Sequence, residues 1–343
     1  MQRCLDLALL GLGSVAPNPL VGAVLVYHDR IIGEGFHEKF GAGHAEVNCL
    51  KAVSGADQVL IKSAVLYVSL EPCAHFGKTP PCAQLIIEHQ IPKVVIACRD
   101  PFEKVNGKGI EMLRAAGIEV ELGILEKDAI TLNKRFFVFH EQKRPYLILK
   151  WAETADQSID SLSGERLMIT NEFSNRLVHR WRSEEAAILV GTNTAVKDNP
   201  SLTNRLWKGK NPVRLVIDKT LRLNKSLQLF NTDALTVVFN ERFHDKEANI
   251  IYYKLDFSKD LIEQILNACY ELQIQSVIVE GGSILLQSFI NKGLWDEARV
   301  IRNGSLYLKE GVAAPELKNQ VLVEATQLAS DTIFFYKNIS QKS

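Results

Sequence analysis

Glu71-Pro72-Cys73-Ala74-His75-Phe76-Gly77-Lys78-Thr79-Pro80-Pro81-Cys82, with His44-Ala45-Glu46 upstream of it, has the make-up of a metal centre. A His-x-Glu followed by Pro-Cys and a second Cys offers three zinc ligands, His44, Cys73 and Cys82. One neutral imidazole and two thiolates leave the fourth position for water. The sulfurs balance the metal's charge, and the metal lowers the pKa of water toward neutrality. Glu46 is then the general acid/base, not a ligand. The bland alternative is a helix-start histidine and two small buried cysteines. Local pattern weighs against it. His44 follows a Gly-Ala-Gly loop and opens a helical run through Ala45, Val47, Leu50 and Val53. Cys73 follows a strand pattern from Ala64 to Leu70, and Cys82 stands at the start of a helix from Ala83 to His89, where thiolate is favoured.

Taken together these residues resemble the zinc-dependent nucleobase deaminases, in which the glutamate carries the proton from water to the leaving amine. Eight residues separate Cys73 from Cys82, against the Pro-Cys-x-x-Cys spacing common in deaminases of nucleosides and tRNA. The longer loop, ending in Thr79-Pro80-Pro81-Cys82, resembles the deaminase half of the bifunctional riboflavin-biosynthesis deaminase/reductase family. Pro17-Asn18-Pro19-Leu20-Val21-Gly22-Ala23-Val24 is similar to that family's first substrate loop and strand. Gly33 to His37 and Gly41 to Glu46 are similar to its approach to the metal. The resemblance implies a cytidine-deaminase-like three-layer α/β domain, with substrate contacts at Asn18, Lys78, Thr79 and Asp100. Lys78 is placed to meet a phosphate; its plain alternative is a solvated loop lysine. Phe102-Glu103 stands where the family usually has Asn-Pro after Asp-Pro, so no asparagine contact carries over to position 102.

Working outward, 343 residues are too many for one typical core and read as two domains. Hydrophobic residues make up 46% and charged residues 23%, an ordinary globular composition. The formal net charge of zero supplies no basic field for nucleic acid or a membrane surface. Cys4, Cys49, Cys98 and Cys269 show no framework spacing and read as free thiols of a reducing cytosol. The apolar run from Leu5 to Ala16 is interrupted by Asp6, and Leu5, Ala8, Leu9 and Leu12 share one helical face, so it reads as an amphipathic helix rather than a signal peptide. No run reaches the ~18 apolar residues of a membrane span, and a cytoplasmic location is expected. Hairpin, helix and strand patterns follow: Val21 to Tyr27, Ile31 to Phe36, Val94 to Cys98, Gly107 to Ala116 and Glu119 to Leu122.

Residues 140 to 145, His-Glu-Gln-Lys-Arg-Pro, read as a short polar break, dividing the chain into 1–143 and 144–343. Buried strands are expected at Tyr146 to Lys150, Ala186 to Val190, Val213 to Asp218, Leu235 to Phe239 and Ser276 to Glu280. Val277-Ile278-Val279-Glu280-Gly281-Gly282-Ser283, leading into a helix, has the form of a phosphate cradle, though the plain alternative is a tight turn. It is not Gly-x-Gly-x-x-Gly, which disfavours a dinucleotide-binding Rossmann domain. With Lys150-Trp151-Ala152, with Gly191 to Thr194, and with Asp198 to Arg205, it resembles the reductase half of the same family, whose fold is like dihydrofolate reductase.

That resemblance implies an NADPH site at Ala152, Thr194, Asp198 and Gly282, Ser283, Ile284, Leu285, Leu286, Gln287 and Ser288. It implies a sugar-phosphate site at Lys150, Arg182, Leu202, Arg205 and Glu280. Met168, which can pack against a flat ring, and Arg166, which can bind phosphate, join these sites as candidates by their own chemistry, not by transfer from the family. Guanidinium forks bind phosphate bidentately, and a carboxylate accepts from ribose hydroxyls. Arg182 has its own plain alternative, a solvated basic face shared with Arg180. Trp151 and Trp181 read as packing residues. Two departures stand out: the family's Leu-Asp-Gly is Ala155-Asp156-Gln157 here, and its Ser-x-Trp is Arg166-Leu167-Met168.

The resemblance thus implies one zinc ion in the first half and NADPH in the second. It also implies a small pyrimidine ribosyl phosphate substrate and a homo-oligomer built through the reductase half. The rival is a zinc deaminase of another nucleobase or nucleoside, its second half a non-catalytic binding or assembly module.

Overall fold

The computed structural model describes residues 1–76, 80–162 and 167–340 and divides into two compact units, Met1–Lys143 and Arg144–Ser343. The first unit runs α1 (Gln2–Leu9), β1 (Gly22–Tyr27), β2 (Arg30–Phe36), α2 (Ala45–Lys51), β3 (Val65–Val68), α3 (Cys82–Glu88), β4 (Lys93–Ile96), α4 (Lys108–Ala115), β5 (Glu119–Leu122), α5 (Glu126–Leu132) and α6 (Lys134–Gln142). Its sheet has the order β2-β1-β3-β4-β5, antiparallel through β3 and parallel from β3 to β5. His28 and Asp29, both at positive φ, make the two-residue turn that twists with the β1–β2 hairpin.

Side chains on a strand alternate between faces, and the two faces of this sheet carry different helices. Ala23, Leu25, Leu66, Val68, Val94 and Ile96 pack with α2, α3 and α4 through Cys49, Leu50, Ile86, Ile110 and Leu113. Val24, on the opposite face, packs with Cys4 and Leu7 of α1. Leu5 of the same helix joins Ala129, Phe136 and Phe137 of α5 and α6. Three layers result. The expected first helix is shorter than its apolar run, because α1 ends at Leu9 and leaves Leu9 and Leu10 exposed. His140 to Gln142 are the last turn of α6 rather than part of a break; the chain leaves the helix at Lys143, in the left-handed region.

The second unit comprises β6 (Tyr146–Glu153), β7 (Ser158–Ser161), α7 (Glu172–Glu184), β8 (Ala187–Val190), α8 (Thr192–Asp198), β9 (Val213–Ile217), β10 (Thr236–Asn240), β11 (Asp245–Glu247), β12 (Ile250–Lys254), α9 (Leu261–Glu271), β13 (Ser276–Val279), α10 (Ser283–Asn291), β14 (Glu297–Asn303), β15 (Gly311–Ala313), β16 (Gln320–Leu328) and β17 (Asp331–Asn338). Ten strands form one sheet in the order β11-β12-β10-β9-β8-β13-β6-β14-β17-β16. From β12 to β14 every pairing is parallel. The central strands are accordingly near-continuous apolar runs, such as Ala187–Val190 and Ser276–Val279, buried on both faces. Parallel strands put their C-terminal ends on one edge, and ligands gather there. Ala152, Gly191 and Glu280 stand on that edge.

Candidate active sites

In the first unit three chain segments converge on one point. His44 is the extended N-cap residue of α2, and Asn48 in the next turn donates to the carbonyls of Phe36 and Gly43, fixing the loop that carries it. Cys73 lies beyond β3, and Cys82 begins α3. Two contacts set the second cysteine against the first: the Cys82 N–H donates to Cys73 Sγ (3.3 Å), and Ala83 N donates to the Cys73 carbonyl. His44 Nδ1 is 3.6 Å from Cys73 Sγ and 3.4 Å from Cys82 Sγ, and the three ligand atoms lie within 4.8 Å of one another.

This donor set fits zinc. The hydrogen bond from Cys82, followed by His44, draws the Cys73 thiol downward, against burial. The same shared proton, with burial, pushes the Cys82 thiol upward. One thiolate therefore forms readily and the second only against added positive charge, which a divalent cation brings. Glu46, 3% exposed, stands in the first turn of α2; burial, then the Cys73 charge, holds its carboxyl above the usual carboxylate range, while His44 pulls it back.

Substrate-side candidates surround this point unevenly. Asn18 is half-buried, its amide nitrogen 3.1 Å from His37 Nε2. Asp100 is buried and burial raises its carboxyl to about 7. Lys78 and Thr79 lie outside the described residues. Two residues beyond the expected set belong to this neighbourhood. His37, 3% exposed, sets its Nδ1 3.0 Å from the Gly43 carbonyl and its ring edge-on to His44. Glu71 accepts four backbone N–H groups.

In the second unit a cavity of about 300 Å³ opens at the C-terminal edge of the sheet. Lys150, Ala152, Met168, Thr194, Asp198, Arg182, Leu202, Glu280, Gly282 and Leu286 all line it. Glu280 is its electrostatic centre. Arg182 donates to Glu280 Oε2 at 3.0 Å, and Lys150 Nζ lies 3.9 Å from Oε1, with all three side chains largely buried. Burial pushes the Glu280 carboxyl up, but Arg182 and then Lys150 outweigh it and hold it low. Burial lowers Lys150 despite Glu280. Arg182 Nε and Glu280 Oε1 are buried without a hydrogen-bond partner, and two cations and one carboxylate line the same cavity. That suits an anionic, hydroxyl-bearing ligand.

The glycine pair divides its tasks. A Cβ on Gly281 would meet Gly191 N at 2.5 Å, so this glycine permits close packing of β13 on β8. The Gly282 N–H donates to Thr194 Oγ1. Farther along α10, Ser283 donates to the Ala313 carbonyl, Gln287 to the Glu316 carbonyl and Ser288 to the Ile284 carbonyl, while Ile284 is exposed and Leu285 packs against the core. Arg205 is exposed, with its guanidinium on Thr203 Oγ1 and its backbone N–H on His179 Nδ1. Arg166 lies outside the described residues. Trp181 is a buried packing residue, edge-on to Phe335, while Trp151, buried and donating to Glu153, also lines the cavity.

A family model described as the cytidine and deoxycytidylate deaminase zinc-binding region matches residues 1–98, and one described as the RibD C-terminal domain matches residues 145–304. The riboflavin biosynthesis protein RibD of Aquifex aeolicus (strain VF5) is 39% identical over 98% of this chain and 97% of its own. The chain belongs to the RibD family. A RibD structure from Acinetobacter baumannii (form 1) shares 32% identity and a TM-score of 0.89 over 98% of this chain and 97% of that one. The crystal structure of a diaminohydroxyphosphoribosylaminopyrimidine deaminase/5-amino-6-(5-phosphoribosylamino)uracil reductase from Thermotoga maritima shares 37% identity and a TM-score of 0.87 over the same shares. As a RibD protein the chain joins a zinc-dependent deaminase to a reductase, in riboflavin biosynthesis, and both α/β folds expected for its halves stand. Among the described residues no helix is long and apolar enough to cross a membrane.

Proposed function

We propose that the first unit hydrolyses the ring amine of 2,5-diamino-6-(5-phosphoribosylamino)pyrimidin-4-one and that the second reduces the ribose of the product to a ribityl chain. The observation that carries the reading is the His44–Cys73–Cys82 cluster with Glu46 buried beside it, on the same chain as the Lys150–Glu280–Arg182 cavity.

His44, Cys73 and Cys82 hold zinc, which when bound supplies the charge that makes water a nucleophile near neutral pH. Glu46 takes the proton from water and returns it to the departing amine. Its burial suits this, because a carboxyl raised toward neutrality both accepts and releases a proton readily. Asn18 and Asp100 position the pyrimidine and its ribosyl arm, with Lys78 as the phosphate partner and Thr79 as a further substrate contact.

In the second unit Lys150, Arg182 and Glu280 orient the sugar, Glu280 accepting from a ribose hydroxyl and the cations answering the phosphate, with Leu202 against the sugar and Arg166 and Arg205 as further phosphate partners. Ala152, Met168, Thr194, Asp198 and the segment from Gly282 through Ser283, Ile284, Leu285, Leu286 and Gln287 to Ser288 receive NADPH, which supplies the hydride. The protein's own part is positioning and electrostatics. The boundary between the two activities falls at Lys143, where the compact units meet in sequence.

The test is NADPH consumption with the undeaminated diaminopyrimidine phosphate as sole substrate, before and after zinc removal. Zinc-dependent consumption supports the order. Ammonia release without consumption overturns the reductase assignment, and absence of both products overturns the substrate. The four cysteines outside the metal cluster, Cys4, Cys49, Cys98 and Cys269, are free and buried, which supports a cytoplasmic setting. The outermost strand β16, exposed along nearly its whole length with Val321, Leu322 and Val323 open to solvent, supports assembly through the second unit.

A further inference from the structure

Glu71 has no part in the proton transfers above, yet its carboxylate is 3% exposed and fully engaged. Oε2 accepts the backbone N–H groups of Asp100 (3.2 Å) and Gly107 (2.9 Å). Oε1 accepts those of Gly109 (2.9 Å) and Ile110 (3.2 Å). Gly107 is the N-cap of α4, and Gly109 and Ile110 lie in its first turn, so backbone dipoles answer the buried charge. The Glu71 N–H in turn donates to the Cys98 carbonyl, two residues beyond β4.

A second contact keys the same two segments. A Cβ on Gly109 would lie 2.0 Å from the Pro72 carbonyl oxygen, so α4 abuts the residue just before Cys73 with no room for a side chain. The segment Glu71–Cys73 is therefore held against the Asp100–Ile110 segment by four hydrogen bonds and one close backbone approach. Asp100, the substrate-side carboxylate, receives its backbone anchor from Glu71 and itself accepts from Phe102 N.

We infer that Glu71 is a positioning residue of the deamination: it sets where Asp100 stands relative to the ligand Cys73, and so where the substrate's arm sits relative to the metal. This rests on the proposed roles of Cys73 and Asp100. Glutamine at 71 keeps the shape but turns an NH₂ group toward N–H donors, so at least one pair of anchors is lost. Because Asp100 acts in binding, the loss falls on KM more than on kcat.

The experiment uses the full-length zinc enzyme. Glu71→Gln should retain zinc and reduce deaminated substrate at the wild-type rate, while the deaminase KM rises at least about tenfold and kcat changes less. Glu71→Asp, which keeps the charge one methylene short, should fall between, and it is the variant read if Glu71→Gln does not fold. Combining Glu71→Gln with Asp100→Asn should raise KM little beyond the larger single effect, because one acts through the other. An unchanged KM in both Glu71 variants overturns the inference. So does loss of zinc with an unaltered KM in the metal-loaded fraction, or full additivity with Asp100→Asn. A wild-type KM for Asp100→Asn alone removes Asp100 from the substrate site, a failure of the underlying reading and distinguishable from the others.

Discussion

Replacing Glu280 by Gln isolates the electrostatics of the second cavity. Glu280 Oε2 lies 3.0 Å from Arg182 and Oε1 lies 3.9 Å from Lys150. With an effective dielectric near 20 these attractions are about 5.5 and about 4 kcal/mol. Glutamine removes both and leaves two buried cations facing each other. Part of the loss is recovered, because Lys150, already lowered by burial and by Arg182, gives up its proton once Glu280 is gone. Breaking a buried pair from one side typically costs about 3–5 kcal/mol, and that is the expected loss. Arg182→Met is the control: it leaves Lys150 and Glu280 as a neutral pair and relieves the cation–cation repulsion, so its cost should be smaller. The assay is built into the chain. All four tryptophans, Trp151, Trp181, Trp207 and Trp295, lie in the second unit, so the tryptophan signal in a urea titration reports that unit alone. A Glu280→Gln midpoint equal to wild type, or a larger loss for Arg182→Met, would refute the charge reasoning.

Glu46→Gln should keep zinc, measured by metal analysis, and slow ammonia release by about 10²–10⁴-fold, as for loss of a general acid/base. Reduction of pre-deaminated substrate should be untouched. His179, lowered to about 4 by burial and then by Arg182 and Arg205, should make the second unit acid-labile. Below the ordinary value of 6.5 the unfolded chain binds a proton that folded His179 refuses, so stability falls as pH drops toward about 4. His179→Gln should flatten that dependence of the tryptophan midpoint. Gly281→Ala presses a methyl against Gly191 N and Val190 Cα and should cost about 1–3 kcal/mol in the same assay; an unchanged midpoint would count against close packing there.

Residues whose chemistry depends on their own type and on the end of an element were legible in the sequence. His44 before a helical run, Cys73 after a strand and Cys82 at a helix start each announce a candidate ligand, and the fold brings the three together. Residues that work through backbone atoms were not. Glu71 binds N–H groups 29 to 39 residues away, and no side-chain pattern encodes such partners. His37 is a histidine like any other until the fold sets it between Asn18 and Gly43. Elements without clean periodicity were also missed. In α6 the adjacent Phe136 and Phe137 blur the apolar stripe, and β16 is exposed along nearly its whole length, so no alternation marks it.

Ala155-Asp156-Gln157 shows how a departure from a family motif is absorbed. Glycine at the third position would meet a positive φ freely, and Gln157 takes the same left-handed conformation at φ 61°. A non-glycine residue there costs about 1–2 kcal/mol. Four contacts offset it. Gln157 N donates to the Thr154 carbonyl, Ala314 N donates to the Gln157 carbonyl, and the Asp156 carboxylate accepts from Thr154 Oγ1 and Leu308 N. These contacts tie the turn to the β15 segment, which pairs with β7 beside the cavity. A glutamine thus holds the backbone path that glycine would allow, and loss of the glycine removes conformational ease rather than the loop's geometry.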